Sequence, residues 1–374
     1  MKLILHIGQS KTGTTALQSF LFSNKAQLLE KNILYPDYRI SNMALNTPEH
    51  NSFAEQLYGM SRHPHLALEE YFEQFRQEMQ DTACDTMILS AESFFGAPQI
   101  WRLKETQDFW SAHEEKLNAL KQFTGDFETE IIGYFNPPEA WFETSASHAI
   151  RYAGLFGKNV YENDEQFFDL LKPHMDYPKL LDLWNDIIQP QKMTIRPYER
   201  EKLVQRDIIQ DFCAYASIDT HSFNFKTKKH QKHSSLDRRY LEVKKQLNKN
   251  KRTKAQERII IECLDRLNAQ LPNIEKYKID PKLKQRIKDH SRPCHEWMTK
   301  NYSQKDEPFF KINKPDSETQ TAITEEDLNN AMKEFESLYS SWPIKWLHFK
   351  IKTKSLLRNR HPRLYAALKN IVSR

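Results

Sequence analysis

The chain has 374 residues, a net charge of +5, 39% hydrophobic residues, 12% aromatic residues and 8 glycines. This length fits one large domain with a small appendage; the aromatic content excludes a disordered chain, and the glycine count excludes collagen-like repeats. No run approaches the roughly 20 apolar residues of a membrane span, and Leu3–Ile7 is too short for a signal peptide. Because the four cysteines show no paired spacing, we expect a reducing, cytoplasmic setting and no zinc site.

Apolar periodicity predicts strands that alternate with helices over the first 225 residues. Strands are predicted at Leu3–Ile7, Thr86–Ser90, Glu130–Phe135 and Met193–Arg196. Helices are predicted at Thr15–Lys31, Ser52–Tyr58, Leu66–Thr82, Phe109–Phe123, Trp141–Ala153, Leu180–Ile188 and Leu203–Ala216. This alternation predicts an α/β fold in which helices flank a central parallel sheet.

The chain changes character beyond residue 224. Helices are predicted at Leu236–Leu247, Gln256–Leu271 and Thr324–Tyr339, with no strand between them. We therefore expect one α/β domain over residues 1–340, mostly helical from residue 225, and a separate basic tail over residues 341–374.

The net charge hides two basic segments. Residues 342–374 carry nine basic and no acidic side chains, and residues 226–254 carry twelve basic and two acidic ones, which leaves −14 elsewhere. The tail mixes cations with aromatic residues, which suits an anionic membrane surface, although a helix packed on the domain would show the same pattern. No nucleic-acid-binding motif accompanies the cations, so nucleic acid is not a predicted partner.

The segment Gly8–Thr15 carries the strongest functional signal. It reads Gly-Gln-Ser-Lys-Thr-Gly-Thr-Thr and joins the first predicted strand to the first predicted helix. Such a loop offers backbone N–H groups and the positive end of a helix dipole to an anion, and Lys11 and the threonine hydroxyls would add further donors. It departs from a Walker A loop, because Lys11 precedes Gly13 by two positions instead of following it.

The segment HIGQSKTGTTALQSFL (residues 6–21) strongly resembles the opening of bacterial sulfotransferases, which use 3′-phosphoadenosine 5′-phosphosulfate (PAPS). Other segments agree with that family in their order along the chain: Leu34–Pro36, His50-Asn51, Leu89–Glu92, Asp176–Trp184, Arg196–Arg200 and Asp211-Phe212. The resemblance covers about residues 1–225. It implies a P-loop-like sulfotransferase fold and transfer of a sulfuryl group from PAPS to a hydroxyl or amine, without a metal.

The resemblance also implies which residues bind the donor. They are Lys11, Thr12, Gly13, Thr14, Thr15, Asn136, Thr144 and Tyr198. Lys11 would stabilise the leaving phosphate, and Asn136 and Thr144 stand where the family usually has an arginine and a serine for the 3′-phosphate. Since Asn136 lacks the charge, either donor binding is weakened or another cation substitutes, from Arg151 or the cluster Lys226–Lys232.

A general base must take the proton of the acceptor, and two residues are candidates. Glu92 follows a strand at its carboxyl end, where α/β sheets place their sites, and His50 lies in the loop after the first helix. We rank Glu92 first. His6, on the first strand, is expected to be a packed core histidine.

The acceptor is expected to be a glycan or a small molecule, because the tail resembles those of bacterial surface-glycan enzymes. The tail would hold the cytoplasmic protein at the inner face of the membrane. Two other functions stay open: a nucleotide-dependent kinase of the same fold, and a non-catalytic binding protein on a decayed sulfotransferase scaffold. The position of Lys11 argues against the first, and the loss of charge at Asn136 motivates the second.

Overall fold

A computed structural model describes residues 1–37, 39–40, 43–44, 48–59, 67–96, 106–155, 161–221, 223, 235–303, 307–311 and 323–341. The basic tail from residue 342 and the cluster Lys226–Lys232 lie outside the described residues. The chain divides into two compact units. The first comprises the described parts of Met1–Phe142, Phe168–Lys232 and Pro281–Pro315, and the second those of Glu143–Phe167, His233–Asp280 and Asp316–Arg374.

A five-stranded, all-parallel sheet forms the centre of the first unit. Its strands are β1 (Lys2–Gly8), β2 (Ile33–Leu34), β5 (Thr86–Ser90), β6 (Glu128–Phe135) and β7 (Lys192–Pro197), in the order β2-β5-β1-β6-β7. The short strands β3 (Arg39–Ile40) and β4 (Met43–Ala44) form a separate antiparallel pair. The α/β class with a central parallel sheet is therefore as predicted.

Helices occupy both units. They are α1 (Thr14–Ser23), α2 (Lys25–Leu29), α3 (Asn51–Gln56), α4 (Leu68–Thr82), α5 (Thr106–Thr124), α6 (Pro138–Tyr152), α7 (Asp164–Met175), α8 (Tyr177–Ile188), α9 (Ile208–Tyr215), α10 (Arg238–Asn248), α11 (Lys254–Asn268), α12 (Pro281–Tyr302) and α13 (Glu325–Tyr339). None of these helices is both long and apolar enough to cross a membrane.

Alternate residues of the central strand β1 pack on opposite faces of the sheet. Leu5 joins a core cluster with Phe75 and Trp184, from helices α4 and α8. Ile4 joins another cluster with Phe20 and Phe212, from helices α1 and α9. Both faces of the strand are covered, and Leu3, Ile4, Leu5 and Ile7 form a buried apolar run, as is usual for a parallel sheet.

The four predicted strands are confirmed, but some helix boundaries were wrong. The predicted helix Thr15–Lys31 is two helices, α1 and α2, which meet at Asn24, whose side-chain amide donates to the carbonyl of Phe20 (2.8 Å). The predicted helix Leu203–Ala216 starts only at Ile208, because Asp207 accepts hydrogen bonds from the amides that open α9. Helices α7 and α12 were not predicted, and each contains a proline.

The second unit is helical in its described part. Helices α10, α11 and α13 pack together, with Leu241, Ile260 and Phe335 buried. A buried ion pair joins Lys244 to Glu257 at 2.8 Å.

Candidate functional site

The site-bearing segments follow the carboxyl ends of four neighbouring strands. The chain leaves the central strand β1 toward β2 and β5 on one side, and then crosses to β6 and β7 on the other. The order of strands therefore switches direction between β1 and β6, the place where open parallel sheets bind ligands. The loop from Gly8 follows β1, Glu92 follows β5, Asn136 follows β6 and Tyr198 follows β7.

The loop after β1 has an unusual backbone. Lys11 and Gly13 both adopt left-handed conformations, with φ of 72° and 74°. For Lys11 this conformation costs about 1–2 kcal/mol, and strain of this kind is concentrated at functional sites. Helix α1 then begins at Thr14 without a side-chain cap and without an acidic residue in its first turn. The positive end of this helix therefore lies at the end of the loop, where it favours negative charge.

The hydroxyls of Thr12 and Thr14 donate to protein acceptors. The buried Thr12 donates to the carbonyl of Gln9 at 2.7 Å, and Thr14 donates to Oε2 of Glu92 at 2.9 Å. Sequence reasoning expected these hydroxyls to serve a phosphate. In this arrangement they instead brace the loop and hold Glu92, which leaves the backbone and the exposed Lys11 facing outward.

Three side chains tie this loop to the segment after β6. The buried Gln9 accepts from the amide of Asn136 (2.9 Å) and donates to the hydroxyl of Tyr177, which in turn donates to the carbonyl of Asn136 (3.0 Å). The side-chain amide of Asn136 donates to the carbonyl of Lys11 at 3.4 Å. Asn136 thus contacts the loop directly, as a neutral brace where the resemblance implies an arginine.

Glu92 opens a short 3₁₀ turn, Glu92–Phe94, directly after β5. The amide of Ser93 in this turn donates to Oδ1 of Asn51 at 3.2 Å. Together with the bond from Thr14, this contact places the Glu92 carboxylate at the first residue of α1. The structure therefore brings Glu92 and the loop together.

His50 is buried, and both its ring nitrogens have protein partners. Nδ1 accepts from the amide of Ser90 (3.0 Å), so Nε2 carries the proton and donates to the carbonyl of Pro36 (3.0 Å). Burial lowers the pKa of His50 to about 4. His50 therefore fixes the loop before α3 to the end of β5, and no ring nitrogen is left to accept a proton from a ligand in this arrangement.

His6 is a core histidine, as predicted. Its ring is fully buried against Tyr134 and Phe212, and its Nδ1 lies 2.7 Å from the hydroxyl of Ser90. Burial lowers the pKa of His6 to about 3.

Tyr198 packs its ring against the loop. A Cβ atom on Gly13 would lie 2.8 Å from the Tyr198 hydroxyl, so only glycine fits beside the ring. The neighbouring Arg196 pairs with the buried Asp211 through two bonds of 2.9 and 3.2 Å, and Tyr134 donates to the same carboxylate. This ion pair fixes the end of β7, and hence the position of Tyr198.

The other residues that were predicted to contact the donor lie on helices α1 and α6. Thr15 is exposed in the first turn of α1, Arg151 pairs with Asp265, and Thr144 lies on the part of α6 that belongs to the second unit. Sequence reasoning did not find Gln9, which lies inside the family-like motif but has no role there. No local signal marks it, because its partners Asn136 and Tyr177 are distant along the chain.

No group of three or more His, Cys, Asp or Glu side chains in the described ranges is placed to hold a metal ion. Comparison of the chain with protein-family models, with curated proteins and with solved structures finds no significant match.

Proposed function

We propose that the chain is a sulfotransferase that moves a sulfuryl group from PAPS to a hydroxyl or amine, on a glycan or small molecule. The observation that carries the proposal is the Lys-Thr-Gly-Thr-Thr loop, strained at Lys11, which leads into an uncapped helix at the switch point of the sheet. A strained loop that leads into a helix N-terminus suits a phosphate group.

The residues present fit such a donor at its 5′ end. The loop backbone around Gly13 and the ammonium of Lys11 would hold the phosphosulfate group, and the Tyr198 ring would border the adenine. The donor supplies an activated sulfuryl group. Lys11 would stabilise the negative charge that the leaving phosphate gains as the sulfur–oxygen bond breaks.

At the 3′ end the fit is weaker. Asn136 offers a neutral side-chain amide, and one of its two N–H groups already contacts the carbonyl of Lys11. A neutral hydrogen bond is roughly half as strong as a charge-assisted one. Selectivity for a 3′-phosphorylated nucleotide is therefore expected to be modest at Asn136.

Glu92 is the better candidate for the general base. Its carboxylate lies at the start of α1, next to the loop, whereas both nitrogens of His50 bind backbone groups. In the ionised form it can accept the proton that an acceptor hydroxyl loses on attack at sulfur. Thr14 orients this carboxylate by donating to Oε2.

A thermal-shift titration tests the proposal against its two alternatives. We expect stabilisation by 3′-phosphoadenosine 5′-phosphate (PAP), which reaches about 2.7 kcal/mol at a hundredfold excess over the dissociation constant. Stabilisation by ATP with Mg²⁺ but not by PAP would favour a kinase. No response to either nucleotide would favour a non-catalytic scaffold, which the engaged amide of Asn136 already suggests as the next alternative.

Variants locate the binding at the loop. Lys11→Ala is expected to abolish sulfuryl transfer and weaken PAP binding. Lys192→Ala, which removes an exposed lysine at the start of β7, provides the matched control. Equal effects of the two substitutions would contradict the proposed site.

A further inference from the structure

Lys116 is a buried amine that the proposed site does not explain. It lies on α5, is completely buried, and has no carboxylate partner among the described residues. Its Nζ donates to the carbonyl of Phe94 at 2.5 Å and lies 3.2 Å from Nδ1 of His113. Lysine is almost never fully buried unless it is paired, so packing alone would favour an apolar side chain here.

The described residues around Lys116 are aromatic and supply no counter-charge. The rings of Tyr58 and Trp184 lie 5.0 and 5.2 Å from Nζ. Burial lowers the pKa of Lys116 well below its ordinary value. Burial, followed by the charges of Lys116 and His174, lowers the pKa of His113 in the same way. The carbonyl of Phe94 is the nearer of the two described acceptors of the amine, the other being Nδ1 of His113.

That carbonyl belongs to the turn that carries Glu92. Phe94 ends the turn, Asn51 holds the amide of Ser93 within it, and Tyr58 donates to the carbonyl of Gly96 just after it (3.0 Å). Asn51, Tyr58 and Lys116 therefore hydrogen-bond the backbone that follows Glu92, between Ser93 and Gly96. Within the described part of the chain, the carboxylate itself accepts its hydrogen bond from Thr14.

We propose that Lys116 is a positioning residue for Glu92, whose amine holds the Phe94 carbonyl and so keeps the turn where the carboxylate meets α1. The inference rests on the proposed role of Glu92 as the base of sulfuryl transfer. The contact between Lys116 and Phe94 can nevertheless be tested whether or not that role is correct.

Water serves as the test acceptor, because the natural one is unidentified. An oxygen–sulfur bond forms to water, the bond between sulfur and the 5′-phosphate oxygen breaks, and PAP and sulfate are released. The proton of the attacking water passes to Glu92. The rate of PAP release from PAPS and the dissociation constant of PAP are measured separately.

A double-mutant cycle decides whether Lys116 acts through Glu92. Lys116→Met is expected to lower the rate of PAP release by about 10–100-fold, the size of effect that misplacement by about 1 Å produces, with the PAP dissociation constant unchanged. In the Glu92→Gln background the same substitution should have no further effect. An equal loss in both backgrounds, or a parallel loss of PAP affinity, would overturn the proposal.

Lys121→Met is the matched control. Lys121 lies on the same helix and also donates to a backbone carbonyl, that of Ile188 (2.9 Å), away from the turn. It should leave the rate unchanged, and an equal loss in this variant would also overturn the proposal. If Lys116→Met does not fold, Lys116→Gln, which keeps an amide donor in place of the amine, replaces it in the same cycle with a smaller expected loss.

Amide hydrogen exchange separates this inference from the proposed function. Lys116→Met should accelerate exchange in Glu92–Phe94 while exchange in β1 stays slow, and unchanged exchange in the turn would refute the positioning role. If the unmodified protein neither binds PAP nor releases it from PAPS, the proposed function fails, and the exchange result alone decides the role of Lys116.

Discussion

Acidification from pH 7 to pH 5 is expected to destabilise the first unit through buried histidines. His6, His50, His113 and His174 are all buried. Burial lowers the pKa of His6 and His174 to about 3 and that of His50 to about 4, and it lowers the pKa of His113 in the same direction. In the unfolded chain each would titrate near its ordinary value of about 6.5.

The sign follows from these values. Above pH 6.5 the histidines are neutral in both states and cost nothing. Between pH 6.5 and the lower folded pKa the unfolded chain binds protons that the folded protein cannot, so stability falls with falling pH. At pH 5 each histidine whose folded pKa is 4 or lower contributes a loss of about 2 kcal/mol.

The sum is large beside the total stability of a domain. His6, His50 and His174 together account for about 6 kcal/mol, and His113 acts in the same direction, whereas a domain has about 5–15 kcal/mol in all. Carboxylates with lowered pKa values, such as Glu139, stabilise the fold until the pH falls below their ordinary pKa, so they do not change its stability between pH 7 and pH 5.

Urea unfolding at pH 7 and pH 5 measures the effect. We expect His174→Gln to reduce the difference in unfolding free energy between the two pH values by about 2 kcal/mol. His221→Gln is the control, because His221 is exposed, with 97% of its side-chain surface accessible. A total loss below about 1 kcal/mol in the unmodified protein would refute the reasoning, since it would mean that the buried rings accept protons freely.

Three further substitutions test the site. Gly13→Ala places a Cβ atom against Tyr198 and puts an alanine in a left-handed conformation. We therefore expect the free energy of unfolding to fall by about 1–2 kcal/mol and calorimetry to show weaker PAP binding, and unchanged binding would contradict the proposed site. Asp211→Asn leaves Arg196 without its carboxylate partner and should lower the free energy of unfolding in urea by about 3 kcal/mol. A loss below about 1 kcal/mol would argue against a structural role for this ion pair. Asn136→Arg should strengthen PAP binding by about tenfold without strengthening AMP binding, and equal gains for both nucleotides would argue against a 3′-phosphate contact.

The sheet and the loop could be predicted from sequence because their signals are local. Strands buried on both faces are continuous apolar runs, and the loop has its glycines and lysine within eight residues. Strand β2, only Ile33–Leu34, is too short to show a pattern. Helices α7 and α12 were missed because each carries a proline near its end or middle, a residue that usually marks a break.

The partners of polar side chains could not be predicted, because they depend on distant parts of the chain. A lysine in a helix is normally expected to be exposed. Only the packing of α5 against Tyr58 and Trp184 shows that Lys116 is buried. Likewise, nothing within the loop indicates that Thr14 binds a carboxylate 78 positions away. The pairing of Arg196 with Asp211 follows the same rule, although both lie in segments that resemble the family.

The two inward-pointing hydroxyls change how the loop would bind an anion. The hydroxyls of Thr12 and Thr14 donate to Gln9 and Glu92, so the loop would bind a phosphate mainly through backbone N–H groups, with Lys11 and the exposed Thr15 beside them. Those donors are fixed before any ligand arrives, because Asn136 and Gln9 brace the same backbone. The negative charge of Glu92 would repel an anion at this end of the helix. Under the proposed mechanism, Glu92 could therefore act as a base only if the phosphate of PAPS lay against the loop and away from the carboxylate. The left-handed backbone at Lys11 is consistent with this separation of charges. Lys11 is exposed in the loop, whereas the Glu92 carboxylate accepts a hydrogen bond from Thr14.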